Sequence, residues 1–146
     1  LGAERPELRL LDVGSGGGVP ALPLAIARPS WQVVALDSSH KRGAFLQQAV
    51  IELALPNVEA VIARVEDYAP PAPFDVVISR AFSDLATFAQ SSARHLAPGG
   101  RLVAMKGVFP DEEIAQLSTA FRVVASPALA VPGLDAERHL IVMERA

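Results

Sequence analysis

Cysteine is absent from the 146 residues of this chain. Its absence excludes a disulfide framework, a thiolate metal site and catalysis by a cysteine nucleophile. Aromatic residues make up only 5% of the sequence, so no ring platform for stacking the bases of a single-stranded nucleic acid is visible. The three histidines are scattered without the spacing of metal ligands, and we therefore expect no metal site.

Long apolar runs are also missing. The longest, residues 19–27, is interrupted by Pro20 and Pro23, and at about nine residues it is too short to cross a bilayer. No charged segment followed by an apolar stretch resembles a secretory signal. These absences predict a cytoplasmic protein without a membrane partner.

Basic residues are fewer than acidic residues. The chain has 13 lysines and arginines and 16 aspartates and glutamates, which give a net charge of −3. This balance gives no overall argument for a nucleic-acid partner, so such an argument must come from where the basic residues lie. Hydrophobic residues make up 51% and charged residues 20%, which predicts an ordered domain with a well-buried sheet.

Apolar runs and helix-like segments alternate along the chain. Short apolar runs predict strands at residues 8–13, 31–36, 58–63, 74–79, 101–106, 121–126 and 139–144. Helical spacing predicts helices at 20–28, from Ser38 or Ser39 to about 54, at 84–96 and at 111–118. A Pro/Gly loop without a helix precedes the last strand. The order predicts one α/β domain over residues 1–146, Rossmann-like, with helices on both faces of a seven-stranded, mostly parallel sheet whose last strand is antiparallel.

The stretch D-V-G-S-G-G-G-V-P, residues 12–20, joins the first predicted strand to the first predicted helix. A dinucleotide loop, G-x-G-x-x-G, would need a third glycine where this chain has Val19. The pattern acidic-x-G-x-G-x-G is met in full by Asp12, Gly14, Gly16 and Gly18. That pattern is typical of class I methyltransferases, which hold S-adenosylmethionine in this loop.

Two further features accompany the loop. Ser15 lies within it and is counted with the cofactor-binding residues, and Asp37 closes the second strand, where an acidic residue can accept from ribose hydroxyls. Asp37 supports a nucleoside-bearing ligand without choosing between the two cofactors. A plain turn without a ligand, a nicotinamide-dependent oxidoreductase and a methyltransferase for small molecules stay open as alternatives.

Cations collect at the ends of the predicted strands in an otherwise acidic domain. They are Lys41 and Arg42 after the second strand, Arg64, Arg80 and Lys106 at the third to fifth, and Arg138 before the last. Since the carboxyl ends of parallel strands form the ligand edge of such a sheet, this placement favours a phosphate-bearing substrate. We interpret Arg80 and Lys106 as candidates for substrate positioning and assign no catalytic residue.

What the chain lacks also narrows the chemistry of the methyl acceptor. Methylation of carbon 5 of a pyrimidine usually needs a cysteine, and methylation of an exocyclic amine is often marked by an Asn/Asp-Pro-Pro-aromatic segment. That segment would follow the fourth predicted strand, where this chain has I-S-R-A, residues 78–81. A ring nitrogen that is already nucleophilic would need only positioning and electrostatic support.

The segments D-V-G-S-G-G-G-V-P, L-D-S-S-H-K-R-G-A-F-L, A-R-V-E-D, F-D-V-V-I-S-R-A-F, M-K-G and L-D-A-E-R-H-L-I-V extend from Asp12 to Val142. Together they resemble the bacterial 16S ribosomal RNA (guanine-N7) methyltransferase G family, also called glucose-inhibited division protein B. The resemblance implies transfer of a methyl group from S-adenosylmethionine to nitrogen 7 of a guanosine in the small ribosomal subunit.

The resemblance also implies roles for individual residues. Gly14 and Val19 match the family's cofactor-loop contacts, Val65 and Glu66 its adenine-side contacts, and Arg80 a further cofactor contact. The basic positions, which we assign to RNA, are Lys41, Arg42, Arg64, Lys106 and Arg138. The family carries an N-terminal helical segment before the first strand, which we expect to be absent from this chain.

Overall fold

The computed structural model describes residues 7–80, 84–129 and 138–146. The strands are β1 Arg9–Val13, β2 Gln32–Asp37, β3 Val58–Ile62, β4 Phe74–Ser79, β5 Leu96–Lys106, β6 Phe121–Ala125 and β7 His139–Arg145. The helices are α1 Ala21–Ala27, α2 His40–Glu52, α3 Leu85–Ser92 and α4 Asp111–Ala115, and a 3-10 turn at Ala93–His95 follows α3. No helix among the described residues has the length and apolar character needed to cross a membrane. The Pro/Gly loop expected before the last strand falls mostly outside the described residues.

The seven strands form one sheet in the order β3-β2-β1-β4-β5-β7-β6. Strands β1 to β5 pair in parallel, whereas β7 runs antiparallel between β5 and β6. The order reverses at β1, whose two neighbours are β2 and β4. In sheets of this kind ligands bind beyond the carboxyl ends of the strands at such a reversal. The predicted fold, including the antiparallel last strand, is confirmed.

Alternating residues of the central strands belong to two separate hydrophobic clusters, because successive side chains of a strand point to opposite faces of the sheet. Leu11 and Val13 belong to one cluster with Phe88 of α3, and Ile114 of α4 packs against its margin. Leu10 belongs to the other with Leu22 of α1 and Leu46 of α2. Helices therefore cover both faces of the sheet, which explains why β1 and β2 are apolar on both sides.

Helix α3 and strand β5 differ in their bounds from the sequence-based prediction. The helix ends at Ser92 rather than at residue 96, and β5 begins at Leu96, before the Pro98-Gly99-Gly100 segment predicted as a turn. Leu96 pairs with Phe74, and the register then shifts before Val76 pairs with Arg101. Gly99, with φ +77°, absorbs this irregularity. The turn residues are therefore part of the strand as a bulge.

Gly43 allows α2 to approach β3 closely. A Cβ atom at this position would lie 2.2 Å from Ile62 Cγ1, whereas alanine's higher helix propensity would favour the substitution by about 1 kcal/mol. We expect overpacking to outweigh propensity, so that Gly43→Ala lowers the free energy of unfolding by about 1–2 kcal/mol in urea titrations. In an Ile62→Ala background the same substitution should be neutral or stabilising, and equal losses in both backgrounds would contradict the packing argument.

Candidate functional site

A cleft of about 390 Å³ opens at the carboxyl ends of β1, β2 and β4, where the strand order reverses. Its lining consists of Val13, Gly14, Leu36, Asp37, Ser38, Ala63, Arg64, Val65, Glu66 and Ser79. The sequence-predicted residues Gly14, Asp37, Arg64, Val65 and Glu66 thus come together here. The cleft combines backbone, apolar side chains, one buried carboxylate and a charged rim, as ligand sites commonly do.

The positions of the glycines in the loop follow from the backbone conformation of the loop. Gly14, Gly16 and Gly18 have φ of +72°, +54° and +88°, whereas Gly17 between them does not adopt a positive φ. Only glycine takes this left-handed region without strain. The amides of Gly14 and Ser15 donate to Leu36 O at 2.8 and 2.9 Å, so the loop is tied to the end of β2. A Cβ on Gly14 would meet nothing within 4 Å, so the loop leaves open space on its cleft side.

Asp12 lies behind the loop rather than in the cleft lining, and its side chain is fully buried. Its Oδ2 accepts from Ser15 Oγ at 2.9 Å and from the Ala21 amide at the start of α1 at 3.2 Å. Its Oδ1 has no partner among the described residues. Burial, opposed by these hydrogen bonds and by the charge of Arg80, raises the pKa of Asp12 to about 7. The acidic residue of the motif therefore holds the loop and helix together.

The raised pKa of Asp12 determines whether the stability of the folded protein rises or falls with pH. Between the ordinary pKa of 3.8 and about 7, the folded state keeps a proton on Asp12 that the unfolded chain has lost. Stability therefore falls as pH rises through this window, by up to about 1.4 kcal/mol per unit. We expect urea titrations at pH 5, 6 and 7 to show that Asp12→Asn, which stays neutral, becomes more favourable relative to the native protein as pH rises. A pH-independent difference between the two proteins would contradict the raised pKa.

Asp37 is 2% exposed and lines the cleft at the end of β2. Its Oδ2 accepts from the Gly16 amide at 2.9 Å and its Oδ1 from the Ser39 amide at 2.9 Å. Arg42 Nε, one turn into α2, donates to both oxygens at 3.1 and 3.2 Å. A carboxylate has about four acceptor positions; two of them take the backbone amides, and the single Nε hydrogen of Arg42 is shared between the two oxygens. Arg42, predicted as an RNA contact, is the exposed member of this set, with 59% of its side chain accessible.

The far wall of the cleft is the segment after β3. Val65 is buried and Glu66 exposed, and Arg64 forms an exposed ion pair with Glu66 at 3.4 Å. Arg94 and His95, which sequence reasoning missed, contact the backbone of this segment from behind. A basic pair at the end of a predicted helix carries no pattern that would have revealed this role.

The remaining predicted residues are not among those that line the cleft. Val19 is 42% exposed after the loop, and Arg80 is exposed at the end of β4. Lys41 is exposed in the first turn of α2, and Arg138 is exposed before β7. Lys106 is not in the lining, because its Nζ binds Glu113 Oε1 at 2.9 Å with only 16% of the side chain accessible. Of the six predicted basic residues, Arg64 lines the cleft, and Arg42, Arg64 and Lys106 are paired with carboxylates.

Similarity to known proteins decides the family. The family described as rRNA small subunit methyltransferase G matches residues 3–141. The chain belongs to this family. A ribosomal RNA small subunit methyltransferase G from Laribacter hongkongensis is 56% identical over 133 residues, covering 91% of this chain and 64% of the relative. The protein of the same name from Nitrosospira multiformis is 53% identical over 145 residues, covering 94% and 67%. The chain thus spans about two thirds of the length of these methyltransferase G relatives.

Solved structures support the methyltransferase fold at lower identity. The glycopeptide N-methyltransferase MtfA superposes with a TM-score of 0.80 at 16% identity over 95% of this chain and 84% of that chain. TrmN from Thermus thermophilus gives 0.75 at 20% identity over 95% and 44%. Within the residues described here, no group of three or more histidine, aspartate and glutamate side chains is placed to hold a metal ion.

Proposed function

We propose that this chain is the catalytic part of an S-adenosylmethionine-dependent methyltransferase that modifies nitrogen 7 of a guanosine in 16S ribosomal RNA. The single observation that carries the proposal is the cleft in which the glycine loop and buried Asp37 meet at the switch point of the sheet. The printed names of relatives at 53–56% identity support the RNA substrate. With a ribosomal substrate, we propose that the protein acts in the cytoplasm.

The cleft fits this cofactor in shape and in chemistry. Asp37 offers a buried carboxylate that can accept from ribose hydroxyls, and the open space beside Gly14 lets a ligand approach bare backbone. Val65 and Leu36 provide apolar walls for an adenine ring, with Glu66 at its edge. When bound, S-adenosylmethionine supplies an electrophilic methyl group on its sulfonium sulfur. With its pKa raised to about 7 by burial, Asp12 is only partly ionised at neutral pH.

The protein's contribution to the reaction is positioning. Nitrogen 7 of guanine carries a free lone pair, so no residue has to remove a proton before it attacks. Arg80 is exposed at the end of β4, beside the cleft residue Ser79, where its guanidinium can hold an RNA phosphate and orient the base. Lys41, exposed in the first turn of α2, adds positive charge after the carboxyl end of β2, and Arg64 does so after β3, where it is paired with Glu66.

The decisive experiment measures methyl transfer from labelled S-adenosylmethionine to small ribosomal subunits that lack the modification, followed by mapping of the labelled base. We expect label at nitrogen 7 of one guanosine and no transfer to subunits that already carry the methyl group. Label that enters a metabolite pool but not the subunits would instead favour a small-molecule methyltransferase. A thermal shift with NADH and none with S-adenosylhomocysteine would overturn the cofactor assignment.

Arg42 provides a prediction about how cofactor and RNA share the site. Because Asp37 already accepts from two backbone amides and from Arg42, ribose hydroxyls can bind it best by replacing the exposed Arg42. We expect Arg42→Met to leave the affinity for S-adenosylhomocysteine unchanged or slightly higher in calorimetry. Filter binding to small-subunit RNA should weaken, with a salt slope smaller by about one.

The exposed Arg122, on the edge strand β6, supplies the matched control. Arg122→Met should change neither affinity. A loss of cofactor affinity confined to Arg42→Met would show instead that Arg42 supports Asp37 and is not displaced.

A further inference from the structure

One arginine side chain donates hydrogen bonds to three backbone carbonyls of the cleft wall. Arg94 Nη2 donates to Val65 O at 2.8 Å, to Glu66 O at 2.6 Å and to Tyr68 O at 2.7 Å. A nitrogen with two hydrogens serves three acceptors here, so at least one hydrogen is shared. Hydrogen bonds from a charged donor are stronger than those between neutral groups. The path of residues 65–68 is thus fixed by a side chain about 30 positions away in the sequence.

His95, the next residue, adds a fourth contact from the interior. Its ring is 2% exposed, and Nε2 lies 2.8 Å from Val65 O. Since a carbonyl oxygen only accepts, Nε2 must carry the hydrogen. Burial lowers the pKa of His95 despite this hydrogen bond, which keeps the ring neutral. Arg94 and His95 therefore hold the carbonyl of Val65 together, one from the surface and one from the core.

The support behind these two residues is rigid. They form the 3-10 turn between α3 and β5, and Leu96 immediately after them pairs with Phe74 in the sheet. The Tyr68 ring packs 5.7 Å from the His95 ring and 6.4 Å from the Phe74 ring, measured between centroids. The segment after β3 thus rests against a platform built from β4 and β5.

The supported segment has little regular structure of its own. Residues 63–73 belong to no helix or strand, and within residues 64–68 the amides of Asp67 and Tyr68 both donate to Arg64 O at 3.0 Å. Val65 and Glu66 nevertheless line the cleft opposite Asp37. A binding wall made from a loop needs such outside support to keep its geometry.

We propose that Arg94, assisted by His95, is a positioning residue that sets the affinity of the cleft for the adenosine part of the methyl donor by fixing the backbone of residues 65–68. The inference rests on the proposed function, since it assumes that Val65 and Glu66 face the cofactor. Within the described residues, the hydrogen bonds of Arg94 go to backbone carbonyls of the cleft wall, so we assign it no part in methyl transfer itself.

The test compares Arg94→Met and Arg94→Lys with the native protein and with Arg122→Met, which removes an exposed arginine on the opposite edge strand of the sheet. Calorimetry with S-adenosylhomocysteine should show a Kd raised at least about tenfold in Arg94→Met, a smaller rise in Arg94→Lys and no change in Arg122→Met. In methyl transfer, KM for S-adenosylmethionine should rise with Kd while kcat at saturating cofactor stays near the native value.

The outcomes separate the inference from the proposed function. Native protein that does not bind S-adenosylhomocysteine overturns the proposed function and the inference together. Native binding with unchanged Kd and KM in both Arg94 variants overturns the inference alone, as does a loss confined to kcat, which would indicate fewer folded molecules. If Arg94→Met does not fold, Arg94→Lys decides by the same KM and Kd criterion, with faster amide hydrogen exchange expected at residues 65–68.

Discussion

Replacing Asp37 with asparagine is expected to raise the Kd for S-adenosylhomocysteine about 100-fold. The carboxylate is 2% exposed and lies in the cleft at the end of β2, where hydrogen bonds from ribose hydroxyls to a charged acceptor are worth about 1.5–3 kcal/mol each. Asparagine keeps one acceptor oxygen but places an NH₂ group where the second hydroxyl or the Gly16 amide must donate. Isothermal calorimetry measures the loss directly.

Asp111→Asn provides the matched control, since Asp111 is an exposed aspartate at the start of α4 and outside the cleft lining. It should bind as the native protein does. An Asp37→Asn protein that is folded by circular dichroism and binds with native affinity would remove Asp37 from the cofactor site and would leave the glycine loop without its proposed ribose partner.

A valine at Gly16 is expected to abolish measurable binding of S-adenosylhomocysteine, a loss of about 100-fold or more. Gly16 has φ +54°, a conformation in which a β-branched residue is a true outlier that costs about 1–3 kcal/mol. A Cβ atom there would itself be accommodated, because it would meet its nearest neighbour, Gly14 O, at 3.7 Å. The loop should therefore change its backbone path and withdraw the Gly16 amide from Asp37.

The adjacent Gly17 gives an unusually close comparison. It lacks a positive φ, and a Cβ on it would meet nothing within 4 Å. Gly17→Val should therefore bind nearly as well as the native protein while changing loop hydrophobicity to the same extent. Equal losses in both variants would show that the loop tolerates no side chain at all, for steric reasons at the ligand rather than for reasons of backbone conformation.

The fold was readable from the sequence wherever a local pattern determines it. Apolar runs such as residues 8–13 mark strands buried on both faces, and the G-x-G-x-G spacing anticipates three residues in a left-handed conformation that glycine adopts most easily. The 96–100 region was misjudged because Pro98 and two glycines signal a turn locally. Pairing with β4 decides instead, and that contact is invisible in sequence spacing.

The sequence predicted the residues at the strand ends that line the cleft. It did not predict the side-chain contacts that hold the site together. Strand ends locate Asp37 and Gly14, since all parallel strands end on one edge of the sheet. The pairing of Arg42 with Asp37, and of Lys106 with Glu113, depends on side-chain direction from neighbouring helices. The full burial of Asp12 depends on how α1 packs. Arg94 acts across 26 to 29 positions, so no local motif records it.

The contact between Arg94 and the segment after β3 also has a consequence for biosynthesis. A chain that has left the ribosome only as far as the end of β4 already contains the glycine loop, Asp37 and Val65, but not the turn at Ala93–His95 that fixes the cleft wall. Synthesis proceeds from the N-terminus, so the contacts of Arg94 with residues 65–68 can form only after the segment that follows α3 has been made.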